Sequence, residues 1–244
     1  MVPWRGRGST GQQDEPRRIA LFGGTFDPIH IGHLAVARAA ERRFHLDEIH
    51  FIPTARPPHK SRIAVSYVDR YAMVALACAD HPRFLPSMTE SGVNLKRRSG
   101  DMPATDDKVY TIDTVRRFKH KLRGTGARLY YMMGVDSFLQ IPTWKDYEAL
   151  LGLCDFIVAS RPGFRLEALR LVIPPDLFPK PGSREESLDP RAISLRRTTI
   201  FVLDSVSSHV SATEIRQRLD SNKSFHGLVP PRVEEYITKQ ALYR

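Results

Sequence analysis

The densest set of chemistry-bearing residues falls in one short stretch, FGGTFDPIHIGH, residues 22–33. Gly23 and Gly24 carry no Cβ, so backbone N–H groups can approach a ligand closely. Asp27-Pro28 is a turn signal that fixes how the loop leaves. Gly32 and His33 open a helix, whose first N–H groups lack partners and whose dipole favours negative charge. A phosphate is well served there. His30 and His33, near the same helix end, can hold phosphate oxygens as N–H donors or as imidazolium, and can stabilise charge that grows during reaction. Two histidines at this spacing also make half of a zinc site, but no second ligand pair accompanies them, so no metal-ligating set is assigned.

These residues need a strand in front and a helix behind. RRIALFGG supplies the strand, with Ile19 to Phe22 a continuous apolar run of the kind found when both sheet faces are covered. Residues 31–44 read as the helix, with Leu34, Ala37, Ala40 and Phe44 on one face. Further along, DEIHFIPT, RFLPSM, ARLYYMMG, DFIVASR and TTIFVL read as strands. SYVDRYAMVALACAD, TIDTVRRFKHKL, TWKDYEALL, residues 163–173, SATEIRQRLD and PPRVEEYITKQALY read as helices. Ser66 is a helix N-cap with Asp69 three residues on. Strands alternating with helices predict an α/β fold: a Rossmann-like, doubly wound, mostly parallel sheet with helices on both faces. Ligands of such sheets bind beyond the carboxyl ends of the strands, where the glycine-rich motif lies.

The chain has 244 residues, enough for one large domain or two small ones at about 100–200 residues each. We expect a tail over residues 1–17, a single domain over 18–244, and long surface loops at 94–108 and 174–197. No apolar run approaches the ~18 residues that cross a bilayer. The first residues lack the apolar segment of a secretory signal. The two cysteines, Cys78 and Cys154, show no metal or redox spacing and suit buried thiols in a reducing cytoplasm. A net charge of +10 favours anionic partners. Because the lysines and arginines are scattered along helices, small anionic substrates fit at least as well as nucleic acid.

GGTFDPIHIGH resembles the signature of the nucleotidyltransferase superfamily with an HxGH motif. PTARPPHK, YTIDTV, GVDSFLQIPTWKDYEAL, IVASRPG and VSATEIRQRL follow in the order seen in bacterial nicotinate-nucleotide adenylyltransferases, and the likeness runs from Arg18 to Arg244 apart from the two polar loops. It implies transfer of the adenylyl group of ATP to nicotinate mononucleotide, giving nicotinate adenine dinucleotide and pyrophosphate. By this resemblance Gly23, Gly24, Thr25 and Phe26 would line the nucleotide crevice, and His30 and His33 would grip the ATP phosphates. Arg216 would contact the β- and γ-phosphates, with His30, His33 and Arg216 as the catalytic group. Ser211, Ala212 and Thr213 would add to an anion site at the start of that late helix. Gly134 and Asp136 would bind the adenosine ribose.

For the acceptor, the resemblance implies that Trp144 stacks on the pyridine ring and Tyr110 flanks it. Thr111 and Lys145 would offer backbone N–H groups to the nicotinate carboxylate. Lys60 and Arg161 are basic candidates for phosphates, and His59 is a weaker one. Magnesium would arrive bound to the ATP phosphates rather than in a carboxylate cage. Other acceptors within the superfamily, such as nicotinamide mononucleotide or pantetheine phosphate, stay open. So does a basic nucleic-acid-binding module, although no aromatic-basic strand pattern supports it.

Overall fold

The computed structural model describes residues 15–55, 63–91, 109–160, 163–180, 182, 187–204 and 210–243. In chain order the elements are β1 (Arg18–Gly24), α1 (Ile31–Phe44), β2 (Glu48–Pro53), α2 (Tyr67–Cys78), β3 (Phe84–Pro86), α3 (Thr111–Lys121), β4 (Arg128–Gly134) and α4 (Val135–Leu139). They continue with α5 (Tyr147–Leu151), β5 (Asp155–Ala159), α6 (Glu167–Arg170), β6 (Ala192–Ser194), β7 (Thr199–Leu203), α7 (Ala212–Asp220) and α8 (Pro231–Lys239).

The strands form one sheet in the order β3-β2-β1-β4-β5-β7-β6, parallel except where β6 runs antiparallel to β7. Successive strand residues feed opposite cores, as a period of two requires. Ala20, Phe22, Tyr130, Met132 and Ile157 face one core, closed by α1, α2, α7 and α8 through Leu34, Met73, Ile215, Val233 and Ile237. Ile19, Leu21, Tyr131, Met133, Phe156 and Val158 face the other, closed by α3, α4, α5 and α6 through Ile112, Phe118, Phe138, Leu150 and Leu169. The doubly wound expectation therefore holds. After β1 the chain winds outward through β2 and β3, then returns to place β4 on the other side of β1. The carboxyl ends of β1 and β4 thus part at the switch point, which opens a crevice.

Ser66 caps α2 as the sequence suggests, its Oγ accepting from the Asp69 N–H at 3.1 Å. Three stretches differ from expectation. TWKDYEALL is not one helix: a 3-10 turn covers Ile141–Thr143, Asp146 takes a left-handed φ of 50°, and only Tyr147–Leu151 is α-helical. The helix expected over 163–173 shortens to α6, because Leu169 is its buried anchor while Leu171 is exposed. The expected loop at 174–197 holds a 3-10 turn at Pro175–Leu177 and strand β6, whose Ile193 is buried. The whole of the loop at 94–108, and residues 1–14 of the expected tail, lie outside the described residues. Arg17, counted in that tail, is held to the sheet: its carbonyl accepts from the Arg128 N–H at 2.7 Å and its guanidinium pairs with Glu48. Among the described residues no helix is long and apolar enough to cross a membrane.

Candidate active site

The motif forms the turn from β1 to α1. Phe26 takes a left-handed φ of 49°, which few side chains tolerate, and its ring is buried edge-on to Phe22 and His33. His30 is the N-cap of α1, extended at φ −143°. Its backbone N–H donates to Nδ1 of His33 at 3.2 Å. That bond fixes the His33 tautomer when neutral, leaving the proton on Nε2 as a donor. The two imidazole rings lie 3.7 Å apart, centroid to centroid. Burial lowers the His30 pKa to about 4, so His30 is neutral at pH 7 and of its two expected forms only the uncharged donor applies.

Groups far away in sequence hold this turn. Arg70 of α2, buried, donates from Nη1 to the carbonyls of Thr25 and Thr54, both at 2.8 Å, and from Nη2 to Ala55 at 3.4 Å. One guanidinium thereby ties the β1–α1 turn to the segment after β2, a use suited to its fixed fork of donors. Arg216 Nη1 donates to the Asp27 carbonyl at 2.6 Å and its Nη2 to Thr213 Oγ1 at 3.3 Å. Local sequence patterns gave no sign of Arg70, because its partners lie 15 to 45 residues away.

Two hollows meet at the switch point. The crevice, about 390 Å3, is lined by Gly23, Gly24, Thr25, Phe26, His30 and His33 on one side, with Gly134, Asp136, Ser137 and Ala212 among those opposite. A Cβ on Gly134 would meet nothing within 4 Å, so no protein neighbour requires a glycine there and the space belongs to the crevice. Ser211 serves α7 as N-cap, its Oγ accepting from the Glu214 N–H at 3.1 Å. Its hydroxyl is committed to the helix, and the same short turn carries Thr213 and Arg216 beside Asp27.

The second hollow, about 220 Å3, shares Gly23, Gly24, Thr25 and Ser137 with the first and is otherwise lined by Tyr110, Thr111, Tyr131, Trp144, Lys145 and Glu90, among others. Tyr110 is the N-cap of α3 and Thr111 its first residue. The backbone N–H groups of Thr111 and Lys145 make no backbone–backbone hydrogen bond among the described residues. Lys145 Nζ lies 4.3 Å from the Tyr110 ring centre. Trp144 stands edge-on to Tyr131 at 6.4 Å. Glu90 is buried and accepts from Thr114 Oγ1 at 3.1 Å, and burial pushes its carboxyl up to about 7. Neither Glu90 nor Tyr131 stood out in the sequence.

The structure thus brings Gly23, Gly24, Thr25, Phe26, His30, His33, Gly134 and Asp136 to one crevice, and Tyr110, Thr111, Trp144 and Lys145 to the adjoining cavity. Lys60 and Arg161, and His59 with them, lie outside the described residues. A larger hollow, about 660 Å3, opens at the amino ends of β4 and β5, and no residue of the motif reaches it.

Residues 21–218 match the family model described as cytidylyltransferase-like. A probable nicotinate-nucleotide adenylyltransferase of Moorella thermoacetica is 39% identical over 230 residues, covering 94% of this chain and 93% of that protein. A relative of the same description from Pseudomonas fluorescens is 38% identical, covering 93% and 98%. Among solved structures, a Plasmodium falciparum nicotinic acid mononucleotide adenylyltransferase complexed with NaAD superposes with a TM-score of 0.64 at 18% identity, covering 93% of this chain and 97% of that one. That likeness is one of fold, whereas the sequence relatives carry the assignment: this chain belongs to the nicotinate-nucleotide adenylyltransferase family, within the cytidylyltransferase-like proteins.

Proposed function

We propose that this protein transfers the adenylyl group of ATP to nicotinate mononucleotide, releasing pyrophosphate and forming nicotinate adenine dinucleotide, a step of NAD biosynthesis. The observation that carries this reading is the pair of hollows sharing one wall. A triphosphate nucleotide in the crevice and a pyridine nucleotide in the adjoining cavity would meet over Gly23, Gly24 and Thr25.

The acceptor phosphate is itself the nucleophile. It attacks the α-phosphorus of ATP in line, and the bond to pyrophosphate breaks. No side chain forms a covalent bond, so the protein's work is positioning and charge stabilisation. His33, with Nδ1 occupied by the His30 backbone, is oriented to donate from Nε2. His30, neutral through burial, acts as a hydrogen-bond partner rather than a cation. Arg216, beside the turn, supplies the cation for the leaving phosphates. Asp136 accepts from ribose hydroxyls across the crevice. The N–H groups of Thr111 and Lys145 would receive the nicotinate carboxylate, and Trp144 the ring face. Lys60 and Arg161 remain proposed phosphate contacts.

Magnesium would be held through the ATP phosphates and water, as is usual for this ion, and would neutralise the leaving group. We place the reaction in the cytoplasm, which suits an ATP substrate and the two free, buried cysteines.

The test is pyrophosphate release from ATP and nicotinate mononucleotide, run beside the amide mononucleotide and pantetheine phosphate. Efficient turnover with the acid and a large drop with the others is expected. Equal turnover of the amide would remove the acid assignment. His33→Ala should lose turnover by roughly 10²–10³, the range for one lost charge-stabilising donor. Near-normal turnover would remove His33 from the mechanism.

A further inference from the structure

The end of the chain returns to the motif. After α8 the backbone reverses through Ala241 at φ 49°, with the Leu242 N–H donating to the Ile237 carbonyl at 3.1 Å, a helix-closing bond of the Schellman type. Leu242 and Tyr243 then pack on the core beneath α1 and α2. From there Tyr243 Oη donates to Asp27 Oδ1 at 2.9 Å, across 216 residues. The other carboxylate oxygen, Oδ2, accepts from the Ala64 N–H at 2.9 Å. The Asp27 carbonyl accepts from Arg216. Asp27 is only 5% exposed, so each of these bonds counts for more than it would in water.

These bonds divide the work of holding the turn. Arg70 and Arg216 grip carbonyl oxygens of Thr25 and Asp27. Tyr243 and Ala64 grip the Asp27 side chain and so set its rotation. Phe26, immediately before, is strained at a positive φ, and His30 follows three residues later. A turn of this kind persists when its surroundings over-determine it. Arg216 is attached to the same residue, so a shift of Asp27 would move the phosphate cation as well as the imidazoles.

We propose that Tyr243 is a positioning residue for the nucleotide turn: its hydroxyl, acting through Asp27, holds residues 26–30 and Arg216 in the arrangement that receives the ATP triphosphate. This rests on the adenylyl-transfer reading above. The Tyr243 hydroxyl stays a neutral donor at any working pH, because burial beside Asp27 raises its pKa. The acceptor cavity uses none of Phe26, Asp27, His30 or Arg216, so the effect is confined to the ATP side.

The experiment compares Tyr243→Phe, which keeps the ring, with Tyr243→Ala, which removes it, in the full chain. Tyr243→Phe, which leaves Asp27 Oδ1 without its donor, should lower Tm by roughly 2–8 °C and raise the KM for ATP, or lower kcat, by about five- to tenfold. Its KM for nicotinate mononucleotide should stay within about twofold. Tyr243→Ala should show the same kinetic loss and a lower Tm. In an Asp27→Asn background, Tyr243→Phe should add little further loss. Wild-type kinetics in Tyr243→Phe would overturn the proposal and leave Tyr243 a packing residue. So would equal losses toward both substrates with a matching fall in Tm. Direct titration with ATP separates the two readings. If wild type formed no dinucleotide, the function would be wrong, while unequal ATP affinity of wild type and Tyr243→Phe would still support the brace and equal affinity would reject it.

Discussion

A Cβ on Gly23 would stand 2.0 Å from Oη of Tyr131, closer than any side-chain carbon can approach. The glycine is therefore required from below as much as from the ligand side. The Tyr131 phenol, buried on β4, lines the second hollow together with Thr111 at the start of α3. The floor of the nucleotide turn and the wall of the pyridine cavity thus meet at one hydroxyl. A residue argued from ligand approach alone is thus also constrained by the ring packed beneath it.

Gly23→Ala is expected to destabilise the protein by about 1–3 kcal/mol, the usual range for overpacking a filled core. The collision is with one ring, so Tyr131→Ala should cost less in the Gly23→Ala background than alone, with a coupling of at least about 1 kcal/mol. Urea denaturation of the two single variants and the double measures this. Simple additivity would show that the backbone, not Tyr131, absorbs the added methyl.

The contiguous part of the site was legible in the sequence because one turn carries it. A strand, two glycines, an Asp-Pro turn and a helix opening at Ile31 are local patterns, and the structure returns them at nearly the expected boundaries. Arg70, Glu90, Tyr131 and Tyr243 were not legible, since each acts across the fold on a partner chosen by topology. The break at Asp146 was hidden because helical periodicity in TWKDYEALL does not reveal a left-handed residue. Strand β6 escaped because it lies in a stretch rich in prolines and charges that reads as a surface loop, and its pairing with β7 is antiparallel.

His30 should make the protein acid-sensitive. Its folded pKa of about 4 lies below the ordinary 6.5, so between those values the unfolded chain binds the proton more readily. The contribution is complete above pH 6.5 and is lost as pH falls through 4, at most on the order of 3 kcal/mol. Thermal melts from pH 7.5 to 4 should steepen in wild type and flatten in His30→Asn. The same slope in both would place the acid-sensitive group elsewhere.

Glu90 has the opposite sign. Its folded pKa of about 7 lies above the ordinary 4.5, so the folded state keeps the proton longer. Stability from this group is full below 4.5 and is lost as pH rises through 7. Glu90→Gln, which cannot ionise, should therefore gain in Tm relative to wild type between pH 6 and 8.5. The charge also faces the cavity proposed for a carboxylate. KM for the acid mononucleotide should rise above pH 7 in wild type and stay level in the variant. Parallel pH profiles of KM in the two proteins would reject this.

Trp144 is one of two tryptophans in the chain, which makes it a reporter. Nicotinate mononucleotide should quench its fluorescence, and Trp144→Ala should abolish that change while Trp4→Phe keeps it. Loss of the stacked ring should raise the acceptor KM roughly tenfold, on the scale of one aromatic contact, and leave the KM for ATP unaltered. Quenching that survives in Trp144→Ala would move the ring away from this wall.

Gly23, Gly24, Thr25 and Ser137 line both hollows, so the two adjoin along those residues. A tethered compound, with a carboxypyridine at one end and adenosine at the other, could then occupy both at once. Its second half would bind as an intramolecular event, at an effective concentration near the millimolar range for a short linker. Selective inhibitors are therefore best sought by joining two weak fragments across those four residues.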